Sequence, residues 1–285
     1  MRVILASNSY GKSAIRLVKV VRTAAHHDIR EFTVDIALEG AFDDAHTLGD
    51  NSAVLPTDTM KNTVYAKARE LPLGEPEAFA LALAEHFLRA SAAALLARIA
   101  ITEHGWRRLV VGGEPHAHAF ERSSSEVRIA RVALTRGTAP VIQSGIEELL
   151  ILKSGRSAFA GYPRDQYTTL RETEDRILAT SISTLWRYRD ATHDFAACFA
   201  NVRRVLLETF ADHDSKSVQH TLYAMGEAVL RHCHAVEEIS ITMPNQHHVL
   251  VDLRPVGLDN ANEIFVPTSA PFGRISATLT RGEPV

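Results

Sequence analysis

The 285 residues predict an α+β chain made of two copies of one plan: two strands, a helix, two strands. Strict alternation in EFTVDIALEG puts Phe32, Val34, Ile36 and Leu38 on one face of a strand. An Ala- and Leu-rich stretch opening at Pro76 carries Phe79, Leu83 and Phe87 at helical spacing. Two pairs of segments look alike across the halves: DTMKNTVYAKA with SKSVQHTLYAMG, and EPHAHAFE with MPNQHHVLVD. The division falls between 1–138 and 139–285.

In chain order, AIRLVKVVR is the antiparallel partner of EFTVDIALEG, and the helix from Pro76 runs to about Ala100. PHAHAFERS and SEVRIARVALT follow as two strands separated by a serine run. In the second half GIEELLILKS and TLWRYRD are strands, and Phe195, Cys198, Phe199, Val202, Leu206 and Phe210 form one helical stripe. EEISITM and HHVLVDL are expected to pair. Alternation in the latter sets Val249, Val251 and Leu253 against His248, Leu250 and Asp252, so His247 and His248 point apart. Asn245 and His247 share a side if the strand starts that early, which Pro244 opposes. Between the halves' regular elements, LILKSGRSAFAGYPRDQYTTLRETEDRILATSISTLWRY is dense in Arg, Asp, Thr and aromatics where a core element would be apolar, and this marks a site.

With 31 Lys plus Arg against 34 Asp plus Glu, the net charge is −3, and this balance gives no footprint for nucleic acid or an anionic membrane. No apolar run approaches the ~18 residues of a membrane span, and no secretory signal is evident, so a soluble, cytoplasmic protein is expected. Cys198 and Cys233 suit a reducing compartment. Among 14 histidines, His116 with His118 and His232 with His234 could share faces, but no metal-ligand spacing accompanies them. VVGGEP reads as a turn, not a phosphate loop. No metal and no cofactor is expected.

NSYGKSAIRLVKV, LPTDTMKNTVYAKA, FAGYPRDQYTTLRETEDRIL, SVQHTLYAMG and MPNQHHVLVDL, in this order and spacing, resemble the signature segments of the urate oxidase (uricase) family over nearly the whole chain. Gln246 and His248 stand where many relatives carry a Lys and an aromatic residue, and the ending RGEPV has no Ser-Lys-Leu peroxisomal signal. The resemblance implies a duplicated tunnelling fold (T-fold), with antiparallel sheets backed by helices. It implies a homo-oligomer, expected to be a homotetramer, whose active sites lie at subunit interfaces. The activity implied is cofactor-independent oxidation of urate by dioxygen.

The resemblance also assigns roles. Arg176 and Gln219 would hold the two ends of the purine, which suits a rigid guanidinium fork and a donor–acceptor amide. Phe159 would stack on the ring, and the backbone N–H groups of Asp58 and Val218 would meet further purine acceptors. Lys12 and Thr57 would form the catalytic dyad, acting from different subunits, with Thr57 and Asp58 reaching into a neighbour's pocket. A lysine is a base only in its neutral form, which burial or adjacent positive charge favours. Asn245 would face the dioxygen or water position, and His247 would join the proton network. Read without the resemblance, Arg176 is a helix-end ion pair, Phe159 a core residue, Lys12 a solvated turn residue, and Thr57 or Asp58 a helix cap. Two other functions compete: a zinc-dependent pterin or purine enzyme of the same fold, and a purine-binding protein that has lost catalysis.

Overall fold

The computed structural model describes Met1 and residues 3–282. The chain forms two compact units: Met1–Gly145 with Arg187–Ala197, and Ile146–Trp186 with the segment from Cys198 onward.

In the first unit β1 (Tyr10–Arg22), β2 (His27–Gly40), β3 (Ala94–Val111) and β4 (Glu114–Thr135) form an antiparallel run in that order. The expected β1–β2 pair is present, and Phe32, Val34, Ile36 and Leu38 are all buried on one face. Each contributes about 1.5–3 kcal/mol by leaving water. Three helices follow β2: α1 (Asp43–Thr47), α2 (Thr57–Glu70) and α3 (Pro76–Ala90). α3 starts at Pro76 as expected, and it buries Phe79, Leu83 and Phe87 against β3 and β4.

That helix does not reach Ala100. Ser91 is extended, and from Ala94 the chain is strand, with Ala97, Ile99 and Ile101 paired to Leu38, Ile36 and Val34. Alternate burial of β-branched side chains against β2 outweighs the helix propensity of the Ala–Leu run. The two strands expected around the serine run are one strand, β4, which passes through it. The surplus residues are absorbed as a bulge: Trp106 pairs with Arg122 and His104 with Val127.

The second unit contains β5 (Val141–Lys153, its start lying in the first unit), β6 (Leu178–Tyr188, its last two residues lying there), α4 (Phe195–Asp212, likewise starting there), α5 (Val218–His232), β7 (Val236–Gln246) and β10 (Gly273–Thr280). The strand order is β5-β6-β7-β10. EEISITM lies in β7 as expected, but its partner is β10, not HHVLVDL. The chain breaks at His247, and only His248–Leu250 form a strand, β8, paired to β9 (Phe265–Pro267). Pro244 does not delay β7, because Pro244 pairs with Arg274 near the end of the sheet's outer ladder. α5 packs on β7 and β10, and Gly226 leaves the room that Leu279 fills.

The ending RGEPV was singled out for its lack of a targeting signal; its Glu283–Val285 lie outside the described residues. Among the described residues no helix is long and apolar enough to cross a membrane.

Candidate functional site

The candidate residues fall into two groups, one in each unit. In the first, Gly11 of β1 is required by close approach, since a Cβ there would collide with the Ile36 carbonyl. Lys12 pairs with Ile36, and Ile15 pairs with Val34, so Ser13 and Ala14 together oppose Asp35. Ala14 takes a left-handed φ of 56°, and its N–H donates to the Asp35 carboxylate at 2.8 Å. This bulge re-aims the strand beside Lys12, which is half-buried within β1 and not in a turn.

α2 lies along β1. The Leu55 N–H donates to the Tyr10 hydroxyl at 3.0 Å, the Tyr65 hydroxyl donates to the Arg16 carbonyl at 3.4 Å, and the Lys19 ammonium donates to the Ala68 carbonyl at 2.6 Å. The start of α2 therefore flanks the end of β1 that carries Lys12. Lys61, and more weakly Asn62 and Lys12, hold the Asp58 carboxyl below its ordinary range. Lys12, Thr57 and Asp58 thus belong to one unit of the chain, an arrangement in which Lys12 and Thr57 can act from the same subunit.

Neither Thr57 nor Asp58 caps the helix. Pro56 holds the N-cap position, and its carbonyl accepts from the Met60 N–H at 3.2 Å. The Thr57 hydroxyl makes no hydrogen bond among the described residues, and the first N–H groups of α2 have no intrahelical acceptor. The Asp58 side chain is engaged by Lys61 at 2.5 Å and Asn62 at 3.1 Å, which leaves its N–H, not its carboxylate, to face a ligand.

In the second unit, residues 154–177 form no regular element. Two isolated bridges hold them: Phe159 exchanges backbone hydrogen bonds with Thr173 at 2.7 and 3.1 Å, and Ser157 lies against Ser215. The first bridge brings Arg176 beside Phe159, with its guanidinium carbon 5.4 Å from the ring centroid. No helix forms around ETEDRIL, and Arg176 has no ion pair among the described residues. Its Nε is buried without a hydrogen-bond partner, and desolvation pulls the guanidinium below its ordinary pKa. An unpaired, half-buried cation of this kind is the electrostatic complement of an anion. Phe159 is half-buried, outside the core, and stacks on Tyr162 at 4.9 Å and 17°. Tyr162 escaped the sequence reading; the only signal was an aromatic three residues after Phe159.

The second bridge ties this segment to α5. Ser217 caps that helix, accepting the His220 N–H at 3.1 Å, and the N–H groups of Val218 and Gln219 have no acceptor among the described residues. The Val218 side chain is buried, while Gln219 is exposed and unbonded among the described residues. Asn245, 8% exposed near the end of β7, likewise has no side-chain partner among them. His247 is exposed in the break after β7, where strand alternation does not govern it, and its carbonyl accepts from the Thr268 N–H at 2.8 Å. Among the described residues no three His, Cys, Asp or Glu side chains are placed to hold a metal.

A family model described as Uricase matches residues 8–133 and 142–276. The chain belongs to the uricase family. It is 46% identical over 280 residues to the uricase of Arthrobacter globiformis, covering 98% of this chain and 91% of that one. It is 37% identical to the Aspergillus flavus uricase, with 95% of each chain covered. The crystal structure of the Arthrobacter globiformis uricase superposes with a TM-score of 0.94 over 100% of this chain and 98% of that one, at 45% identity. The uricase likeness thus extends through both units.

Proposed function

We propose that this member of the uricase family is a cofactor-independent urate oxidase, converting urate, dioxygen and water to 5-hydroxyisourate and hydrogen peroxide in purine degradation. The observation that carries the reading is Arg176: a half-buried guanidinium with an orphaned Nε and no counter-ion among the described residues, set against an aromatic ring. A planar, anionic heterocycle satisfies both at once. The guanidinium fork pairs with a carbonyl and the adjacent anionic nitrogen, and Phe159 stacks on the ring face. Gln219 takes the opposite edge, and the unsatisfied N–H groups of Val218 and Asp58 hold further acceptors.

Lys12, through Thr57, removes the second proton from urate, and His247 belongs to the same proton network. The dianion is electron-rich enough to pass electrons to dioxygen one at a time. Asn245 and Thr57 hold the dioxygen or water above the ring. Arg176, Phe159 and Gln219 lie in one unit and the Lys12–Thr57 dyad in the other, while Asp58 joins recognition from the dyad's unit and His247 joins the proton network from the unit of Arg176. In this reading the first-unit group of one subunit completes the second-unit group of another, within a homotetramer whose two repeats are 1–138 and 139–285. We place the protein in a bacterial cytoplasm.

Purified protein mixed with urate tests this directly. Loss of urate's ultraviolet absorption should match, mole for mole, the oxygen consumed and the peroxide formed. Urate binding without turnover would leave the purine-binding alternative, and turnover that stops on chelation and returns with zinc would leave the metal-dependent one.

A further inference from the structure

Two stretches of the chain run in step. α3 and α5 are each 15 residues long, and each leads after a three-residue link into a strand, β3 or β7. The residue just after β4 or β10 closes each stretch in the same way. Arg136 donates to the carbonyls of Leu88, Ser91 and Ala94, and Arg281 donates to those of Leu230, Cys233 and Val236. Residue for residue, the second position of α3, Glu77, therefore answers to the second position of α5, Gln219. The tenth residues of β3 and β7, Glu103 and Asn245, answer to each other, and their partners across the ladder are Arg128 and Gly273. Both pairs lie on the helix-covered face, by alternation from the buried Ile101 and Met243.

At the first of these places the space is full. Arg128 spans it as a fork, 2.7 Å from Glu77 and 2.7 Å from Glu75, and the Ser144 hydroxyl donates to the other oxygen of the fully buried Glu77. At the second, two amides, Gln219 and Asn245, replace the carboxylates of Glu77 and Glu103, and a glycine replaces the arginine. We propose that the space around Glu77 is a second recognition site on the plan of the urate pocket, held closed by Arg128 as its resident ligand, and that Gly273 is the residue whose missing side chain leaves the urate pocket open. The carboxylate sets the ligand class of the closed site: a planar group with two adjacent N–H donors, as in a guanidinium or amidinium ion. Two amides with no internal cation suit an outside heterocycle that presents donors and acceptors together. Each chain then offers one urate pocket, not two.

The inference rests on the urate-oxidase reading, and it is tested at both places. Gly273 has no left-handed φ, and a Cβ there would meet only Ile275 and Asn245, at 3.8 and 4.0 Å, so the backbone accepts a side chain. Gly273→Met should raise KM for urate by about tenfold or more, with Tm within about 3 °C of wild type. Arg128→Ala should open the closed site and lower Tm, because it strands the Glu77 carboxylate. Millimolar guanidinium chloride should then raise the Tm of Arg128→Ala by about 3 °C over the same concentration of sodium chloride. Wild type, whose site is filled, and Arg128→Ala/Glu77→Gln, whose carboxylate is gone, should show no such gain.

An unchanged KM in Gly273→Met, or a Tm of Arg128→Ala that is the same in both salts, would overturn the equivalence of the two places while leaving urate oxidation standing. Should Arg128→Ala not fold by itself, its refolding yield in millimolar guanidinium against sodium decides: a higher yield in guanidinium supports the closed site, and equal yields overturn it. If wild type neither binds nor consumes urate, the functional reading fails, and the guanidinium response of Arg128→Ala still decides the closed site.

Discussion

The two groups of candidate residues are built in opposite ways. The first-unit group sits on regular elements: Lys12 on a bulged strand and Thr57 with Asp58 on the first turn of a helix packed along it. The second-unit group hangs on an irregular segment held by two isolated bridges, plus a helix start and a strand end. The difference matches the chemistry proposed for each. Proton transfer needs two side chains at fixed separation, which a ladder and a packed helix supply. Recognition of a flat anion needs donors converging from several directions, which a loop threaded between elements supplies.

Arg176→Ala should weaken urate or inhibitor binding by about 3–4 kcal/mol, roughly 100- to 1000-fold, by removing a charge-assisted fork. In the absence of ligand, Arg176→Met should raise stability by about 1 kcal/mol, seen as a higher Tm, since it removes a buried unsatisfied donor. Lys12→Met and Thr57→Ala should each lower kcat by about 100-fold with inhibitor affinity nearly intact. An equal loss of affinity would make Lys12 and Thr57 binding residues, like Asp58. Phe159→Leu should weaken binding by about tenfold, the scale of one stacking contact. A loss exceeding that of Arg176→Ala would reverse the assigned ranking. Exhaustive chelation should change turnover least of all, by nothing measurable. The supporting observation is the lack of any metal-ligand cluster among the described residues.

The same contrast governs what was legible in the sequence. β2 and α3 announced themselves because burial on one face writes a period of two or 3.6 into the residues. The β3 segment misled because Ala and Leu favour a helix, and only the partner strand decides otherwise. β10 was missed because its central SATLT run is mostly exposed and carries little alternation. Its choice as the partner of β7 follows from α5 packing on both. The look-alike segments around Thr57 and Val218 open α2, which lies along β1, and α5, which packs on β7 and β10, so the two helices cover different strands. The polar density of residues 150–188 was enough to mark a site. That Arg176 lacks an ion-pair partner among the described residues was not legible, because in sequence it stands among Glu172, Glu174 and Asp175. The two-bridge geometry alone separates it from them. Thr57 read as a cap for the same reason: only the structure puts Pro56 in that position.

The central claim is that each active site joins the first-unit group of one subunit to the second-unit group of another. Co-refolding two inactive variants with distinguishable tags tests it most directly. Mixing Thr57→Ala with Arg176→Ala should restore about a quarter of wild-type activity, because random assembly pairs an intact first-unit group with an intact second-unit group in one site of four. Mixing Lys12→Met with Thr57→Ala should restore none, since both lesions fall in the same group. Tagged chains that purify together while the first mixture stays inactive, or the second regains activity, would contradict the shared site.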